Sequence, residues 1–144
     1  MYNIINTYLG EVIGREYVTK YFPENYKKEM IDLVSNIKDE LEHIIDDLDW
    51  IGEKNKEKAK LKLDLMGLKI GYPDKWTDYS SIRLSNDSLF ENIVFLRKYK
   101  FNKKLSELNQ PPDIFKWEMN PHQVNAYYHP LRNEIVFPAG ILQK

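Results

Sequence analysis

The sequence contains no cysteine. Its absence excludes disulfide bonds, thiolate metal sites, iron–sulfur clusters and a cysteine nucleophile. A chain without disulfides fits a reducing compartment, so we expect a cytoplasmic protein, with an extracellular location left open if the chain belongs to a longer parent protein.

An excess of positive charge and a long apolar run are also missing. Lysine and arginine number 21 against 22 aspartates and glutamates, which gives a formal net charge of −1. Because nucleic-acid binding needs a basic excess or a basic face, we expect no nucleic-acid partner. No apolar stretch approaches the roughly 20 residues of a membrane span, and no signal-peptide pattern is visible at the N-terminus. We therefore expect no membrane segment.

Histidine is scarce and is not spaced for zinc binding. The three histidines are His43, His122 and His129, and none has a second histidine three or four residues away. A catalytic zinc needs three protein ligands, and two of them commonly come from one turn of a His-Glu-x-x-His helix. We expect no metal site in this chain. His122 and His129 are interpreted as ordinary surface histidines that flank a turn.

Apolar residues at helical spacing dominate the first 110 of the 144 residues. The spacing predicts helices over four ranges, which are 4–21, 23–48, 53–66 and 89–108. Pro23 suits the first turn of the second helix, and Gly67 suits a left-handed cap after the third. Gly14 interrupts the first helix, which predicts a close crossing with another helix. Lysines of the third helix are expected to face the acidic second helix rather than nucleic acid.

The fourth helix has a clear start and a predicted inward face. Residues 86–88 read Asn-Asp-Ser, which supplies capping side chains and is also a glycosylation triplet; the capping role is favoured. The residues expected to point inward are Leu89, Phe90, Ile93, Leu96, Phe101, Leu105 and Leu108.

The end of the sequence changes from helical to strand-like patterning. Residues 124–128 and 134–137 predict a β-hairpin, and Arg132 lies in its turn, where we expect it to be solvated. Residues 68–70 form only a short extended run. Because no third strand is evident and a hairpin alone is marginally stable, we expect an unpaired strand edge. That edge, or an exposed apolar surface, gives a route to self-association.

Five blocks of the sequence resemble the neprilysin-like zinc metalloendopeptidases of family M13. They read Gly-Arg-Glu-Tyr-Val followed by Tyr-Phe-Pro (14–23), Leu-Asp-Trp (48–50), Lys-Ile-Gly-Tyr-Pro-Asp-Lys-Trp (69–76), Asp-x-x-x-Trp-x-Met-x-Pro (113–121) and Val-Asn-Ala-Tyr-Tyr with Asn-Glu-Ile-Val-Phe-Pro-Ala-Gly-Ile-Leu-Gln (124–143). The blocks occur in the family's order and cover nearly the whole chain.

The resemblance implies a mainly α fold, with a four-helix segment of the family's capping lobe over residues 1–110. It assigns residues 111–144 to the lead-in and β-hairpin that begin the thermolysin-like catalytic lobe. The family's zinc helix follows this stretch, so the resemblance implies zinc and catalytic residues in a complete parent enzyme. It implies none in this chain, which we predict to be inactive alone.

Asn125 and Ala126 match the family motif that holds the substrate backbone. An asparagine amide offers both a donor and an acceptor to a peptide, and a strand edge can add an extended peptide. From spacing alone, Asn125 reads instead as a residue that terminates or bonds a turn. The resemblance favours substrate contact, with an oligopeptide as the partner of the parent enzyme.

Two functions from different classes remain open at this point. The first is a fragment of a zinc metalloendopeptidase that hydrolyses oligopeptides. The second is a standalone, catalytically dead module that binds a peptide or a protein. A structural helical protein without a ligand ranks last, because it leaves the match around Asn125 to chance.

Overall fold

The computed structural model describes residues 2–143, which form four α-helices and one small sheet. The helices are α1 (Tyr2–Tyr21), α2 (Glu24–Asp47), α3 (Glu53–Asp64) and α4 (Leu89–Ser106). The strands are β1 (Gly67–Gly71), β2 (Tyr127–His129) and β3 (Glu134–Pro138), with a short 3-10 turn at Ala139–Ile141. The prediction of a mainly α fold with four helices and a C-terminal hairpin is confirmed. The division at residue 110 stays a prediction.

The helix ends follow local chemistry, with two differences from the expected positions. Ser88 caps α4 and its hydroxyl accepts a hydrogen bond from the Glu91 amide at 3.3 Å, as expected. Pro23 lies one residue before α2, with φ −65°, and not inside the first turn. Gly67 is wrong as a left-handed cap, because it already belongs to β1; the glycine with positive φ is Gly71.

The expected contact between the lysines of α3 and the acids of α2 is confirmed. Lys60 Nζ lies 2.9 Å from an Asp46 carboxylate oxygen and 3.7 Å from one of Glu42. Lys56 Nζ donates to the Asp46 carbonyl at 2.7 Å. These contacts pair the two helices side by side.

A third strand completes the sheet, so the expectation of a hairpin without a partner strand is wrong. β3 lies in the centre, antiparallel to β2 and parallel to β1, with Lys69 opposite Val136 and Tyr128 opposite Ile135. The partner was missed because β1 holds five residues, two of them glycine, and lies more than 60 residues from β3. Parallel pairing needs a long crossover, which no local pattern reveals.

The core lies where the end of α1 meets β1 and the turn after β3. Val18, Phe22 and Ala139 are its buried residues, and six half-buried side chains pack around them, namely Tyr17, Tyr26, Met30, Tyr72, Trp76 and Leu142. A Cβ on Gly71 would lie 2.6 Å from the Phe22 ring, and Gly71 has φ +77°. Only glycine both adopts this positive φ readily and leaves room for the Phe22 ring.

The close contact of Gly14 is with a loop, and not with the helix that was expected. An added Cβ on Gly14 would lie 2.5 Å from Pro121 Cδ, and one on Gly10 would overlap the Asn120 side chain. Gly10 and Gly14 are four residues apart, so both lie on one face of α1. This flat face lets the loop at residues 120–121 pack directly against the helix backbone.

Most of the residues expected to point inward from α4 are exposed in this chain. Leu96 is buried at 5% exposure, whereas Phe90 is 75% and Phe101 61% exposed; Leu89, Leu105 and Leu108 are exposed as well. The helix therefore has two apolar stripes. One contains the buried Leu96, and the second is formed by Phe90, Val94, Phe101 and Leu105. Periodicity identifies apolar faces but does not say which face meets the rest of the chain.

Within residues 2–143, no helix combines the length and the apolar character that a membrane crossing requires.

We expect the substitution Gly14→Ala to destabilise the fold. Alanine favours a helix over glycine by about 1 kcal/mol, but the new Cβ would collide with the rigid Pro121 ring. Overpacking of this kind typically costs about 1–3 kcal/mol. The net fall in the free energy of unfolding should be about 1 kcal/mol, measured by urea denaturation.

Gly52→Ala is the matched control, since no atom lies within 4 Å of the added Cβ. Because Gly52 is the N-cap of α3, where alanine is less favourable than glycine, any loss should come from the cap and stay below about 1 kcal/mol. A Gly14→Ala variant more stable than the parent would contradict the tight contact with Pro121.

Candidate functional site

Asn125 and Ala126 lie immediately before β2, at an open edge of the sheet. The strand order is β1-β3-β2, so among residues 2–143 no strand pairs with the outer side of β2. Asn125 is exposed and Ala126 is half-buried. This edge can accept an extended chain as a further strand.

The Asn125 side chain bonds its own backbone and keeps a free donor. Its Oδ1 accepts a hydrogen bond from the Ala126 amide at 2.8 Å. The turn-bonding role read from spacing alone is therefore present. The Nδ2 group has no hydrogen-bond partner among residues 2–143, so it can donate to the carbonyl oxygen of a bound peptide.

A tight turn at residues 120–123 holds the chain just before Asn125. The Asn120 amide donates to Gln123 Oε1 at 2.6 Å, and the Gln123 amide donates to the Asn120 carbonyl at 3.0 Å. The Gly140 amide donates to the Pro121 carbonyl at 2.8 Å, which joins the turn to the residues after β3. Pro121 itself is fully buried.

Helix α1 anchors this turn through Asn6. Asn120 Nδ2 donates to the Asn6 carbonyl at 3.2 Å, and His122 Nε2 lies 2.8 Å from Asn6 Oδ1. The reading of His122 as an ordinary surface histidine is wrong, because its ring is half-buried and its Nδ1 atom is enclosed without a partner. Burial lowers the pKa of His122 from its usual value. The neutral ring therefore belongs to the folded state.

Strand β2 is also bonded to the lead-in segment, which is residues 113–121. The Glu118 amide donates to the Tyr127 hydroxyl oxygen at 3.2 Å, and His129 Nε2 lies 3.5 Å from Glu118 Oε1. Burial raises the pKa of the Tyr127 hydroxyl, so it stays protonated at neutral pH. The Tyr128 hydroxyl bonds Asn133 Oδ1 at 3.0 Å across the hairpin turn.

A buried ion pair joins β1 to β3 beneath the lead-in segment. Lys69 Nζ lies 2.8 Å from Glu134 Oε2, and the two side chains are only 11% and 7% exposed. Lys69 also donates to the Lys116 carbonyl at 2.9 Å. Arg132 Nη1 approaches Glu134 Oε1 at 3.7 Å, which is an ionic contact and too long for a hydrogen bond. The expectation that Arg132 is solvated is wrong, since its side chain leans onto this pair.

Sequence reasoning identified the edge residues but missed their supports. The roles of Asn6, Lys69 and Glu134 depend on contacts across 65 to 116 positions of sequence. One signal was present, because Gly10 and Gly14 stand four apart on an amphipathic helix. Such spacing indicates a face that something approaches closely.

The donor set of the described residues does not fit a zinc ion. Within residues 2–143, no group of three histidine, aspartate or glutamate side chains is arranged to hold a metal. His129 has a single carboxylate neighbour in Glu118, and His122 is bonded to an amide. No chemistry through a metal is derived from these residues.

The chain is similar to a set of known peptidases. The sequence model of peptidase family M13 matches residues 1–73. Neutral endopeptidase of Lactobacillus helveticus is 38% identical over 144 residues, which cover 99% of this chain and 22% of that protein. Neprilysin of Mus musculus is 34% identical, over 98% of this chain and 20% of its own length.

Solved structures agree with this result. The open state of the zinc metalloprotease Zmp1 of Mycobacterium tuberculosis has a TM-score of 0.89 at 37% identity, covering 98% of this chain and 22% of that one. PepO from Lactobacillus rhamnosis HN001 has a TM-score of 0.87 at 34% identity, covering 96% and 22%. The chain thus spans about a fifth of the length of these relatives.

We expect the stability of the fold to fall between neutral and mildly acidic pH because of His122. Its folded-state pKa is lowered, so the unfolded chain takes up a proton first. The stabilisation is complete above the unfolded pKa of about 6.5 and is lost as the pH falls below it. The melting temperature at pH 7.5 and 5.5 measures this loss.

His122→Gln is the matched variant, because its side-chain amide can still reach Asn6 without titrating. Between pH 7.5 and 5.5, the melting temperature of the parent chain should fall by more than that of the His122→Gln variant. Equal losses in the two proteins would contradict a neutral, buried His122.

Removing one partner of the buried ion pair should be strongly destabilising. Lys69→Met leaves the Glu134 carboxylate buried, with only the longer Arg132 contact, so we expect a loss of about 3 kcal/mol. The double variant Lys69→Met with Glu134→Gln should recover most of this loss, since no charge is then buried alone. Urea denaturation measures both changes.

The control is Lys28→Met, which removes a surface pair with Glu24. It should cause no measurable change, because exposed pairs contribute little. Equal effects of the Lys69 and Lys28 variants would show that the Lys69–Glu134 pair is not buried in solution.

Proposed function

Because the chain belongs to peptidase family M13, we propose that it forms part of a zinc metalloendopeptidase that hydrolyses oligopeptides. The zinc ligands would come from outside residues 2–143, whose donor set does not fit the ion. The contribution of this chain is the strand edge that holds the substrate backbone. Its inactivity in isolation and its cytoplasmic location stay predictions.

One observation carries the role of the edge. Asn125 stands exposed at the unpaired side of β2 with its Nδ2 donor free, and Ala126 follows at the start of the strand. An extended substrate lying beside β2 would bond its backbone to the strand and one carbonyl to Asn125 Nδ2. These bonds fix the peptide without reading its side chains, as an endopeptidase with varied substrates requires.

The supports of the edge explain why such a site could be preorganised. The turn at residues 120–123 is bonded to α1 on one side and to Gly140 on the other. Glu118 bonds Tyr127 from the lead-in segment. A site held this way loses little conformational entropy when a peptide binds.

The second candidate is a standalone peptide-binding module, because the open edge can hold a peptide without a metal. The coding sequence after Lys144 separates the two functions. A reading frame that continues into His-Glu-x-x-His supports the peptidase, and a stop codon supports the binding module.

We expect Asn125→Ala to weaken binding of the peptide acetyl-Gly-Gly-Phe-Leu-amide about fivefold to tenfold. The variant removes the donor to the peptide carbonyl, and one such hydrogen bond contributes about 1 kcal/mol. Titration of the 15N-labelled chain by NMR measures the affinity and locates the peptide through the amide signals of Ala126 and Tyr127.

The control is Asn102→Ala, which removes an exposed asparagine on α4 and should leave the affinity unchanged. If Asn125→Ala binds as tightly as the parent, or the signals of Ala126 and Tyr127 do not move, the edge is not the substrate site.

A further inference from the structure

A groove of about 590 Å³ lies at the β1 edge of the sheet, opposite the edge that carries Asn125. Its floor is β1. One wall comes from α2 and Leu65, and the other comes from the lead-in segment through Phe115 and Trp117. None of the residues proposed to hold substrate lines it.

The groove includes the outer edge of β1 and extends over the face of the sheet on which Lys69 and Glu134 pair. Four successive residues, Gly67, Leu68, Lys69 and Ile70, line it. Because alternate side chains of a strand point to opposite faces, a cavity touched by all four must follow the strand's edge. β1 is the outermost strand on this side of the sheet, and no other strand pairs with that edge among residues 2–143.

Backbone hydrogen-bonding groups on this edge are available. The Gly67 amide donates to the Asn133 carbonyl at 2.8 Å, so the backbone groups of residue 67 face the hairpin. The backbone N–H and C=O groups of successive strand residues point to opposite sides. The groups of Lys69 therefore also face the hairpin, and those of Leu68 and Ile70 face the groove. The Ile70 carbonyl already accepts a bond from the Tyr72 amide at 2.9 Å. Within residues 2–143, the Leu68 amide and carbonyl have no backbone partner and are left for a new strand, whereas Ile70 is only 3% exposed.

The walls are apolar and accessible. Ile31 and Leu65 on one side and Phe115 on the other are all exposed large hydrophobic side chains. A strand inserted between these walls would bury apolar side chains on both of its faces. Burial of this kind contributes roughly 25 cal/mol for each Å² of apolar surface.

The charges in the groove leave one cation uncompensated. Lys27 is paired with Asp74 at 2.6 Å, and Lys69 with Glu134 at 2.8 Å. Arg132 Nη1 donates to the Lys116 carbonyl at 3.5 Å and approaches the Glu134 carboxylate at 3.7 Å. Lys69 already pairs with that carboxylate, so Arg132 has no carboxylate of its own in the groove. An incoming segment with an acidic side chain would therefore complement the end of the groove at Arg132.

From these contacts we propose that the outer edge of β1 binds an extended peptide segment by strand addition. The segment is about five residues long, matched to β1, carries apolar side chains and places one acidic side chain beside Arg132. This site is separate from the edge at Asn125 and does not rest on the proposed peptidase function.

The test uses the 15N-labelled 144-residue chain and three synthetic peptides. The first is acetyl-Thr-Val-Thr-Ile-Val-Asp-amide, the second has Lys in place of Asp, and the third is N-methylated at alternate residues. NMR titration with amide hydrogen exchange follows Leu68 and Ile70 at the groove, and Asn125 and Ala126 at the other edge.

We expect the acidic peptide to shift the Leu68 and Ile70 amides and to slow their exchange. The lysine peptide and the N-methylated peptide should each bind about tenfold more weakly, because one lacks the ion pair and the other lacks the backbone donors. The N-methylated peptide tests the strand geometry without altering the protein.

A protein variant tests the charge. Arg132→Gln should weaken binding of the acidic peptide about fivefold to tenfold and leave the lysine peptide unaffected. Arg83→Gln, at an exposed arginine that does not line the groove, should change neither. An unchanged pattern of amide signals in the free Arg132→Gln variant shows that its fold is intact.

Three outcomes would overturn the proposal. Shifts confined to the amides of Asn125 to His129 would place the peptide on the other edge, which supports the proposed function alone. Concentration-dependent shifts at β1 without peptide would identify a second copy as the occupant. No shift at Leu68 and Ile70 with millimolar acidic peptide would show that the groove binds no strand.

Discussion

The parallel pairing of β1 with β3 joins the two halves of the chain, and the rest of the structure depends on it. β1 follows the first three helices, whereas β3 belongs to the hairpin that carries Asn125. The Lys69–Glu134 ion pair adds a contact between the two strands. Because both charges lose water on burial, the pair is stable only when its geometry is good. Without this pairing the hairpin would lose its neighbouring strand and its connection to the segment that follows α3.

Helix α1 provides a second, independent support for the same hairpin. Its face at Gly10 and Gly14 has no side chains, so the loop at residues 120–121 lies against the helix backbone. Asn6 then bonds both Asn120 and His122. The strand edge at Asn125 is therefore supported by β1 and by α1, and the supporting residues lie outside the proposed peptide site. This arrangement places a rigid edge on the surface, as binding by strand addition requires.

Among residues 2–143 no strand pairs with either outer edge of the sheet, and the two edges differ in character. The β2 edge carries the exposed Asn125 and is lined by polar backbone. The β1 edge lies at the bottom of an apolar groove with Arg132 at one end. One small sheet thus offers two places where an extended chain can add, with different chemistry for its side chains.

The sequence by itself determined the four helices, the cap at Ser88, the hairpin and the position of Asn125, because each depends on residues within a turn or two of one another. Tertiary structure alone decided the third strand, the contacts of Arg132 with Glu134 and of His122 with Asn6, and the exposure of Phe90 and Phe101 on α4. Amphipathic spacing marks which faces are apolar, but the partner of a face is set by contacts between distant segments. Those contacts depend on the whole folded chain, and no local pattern encodes them.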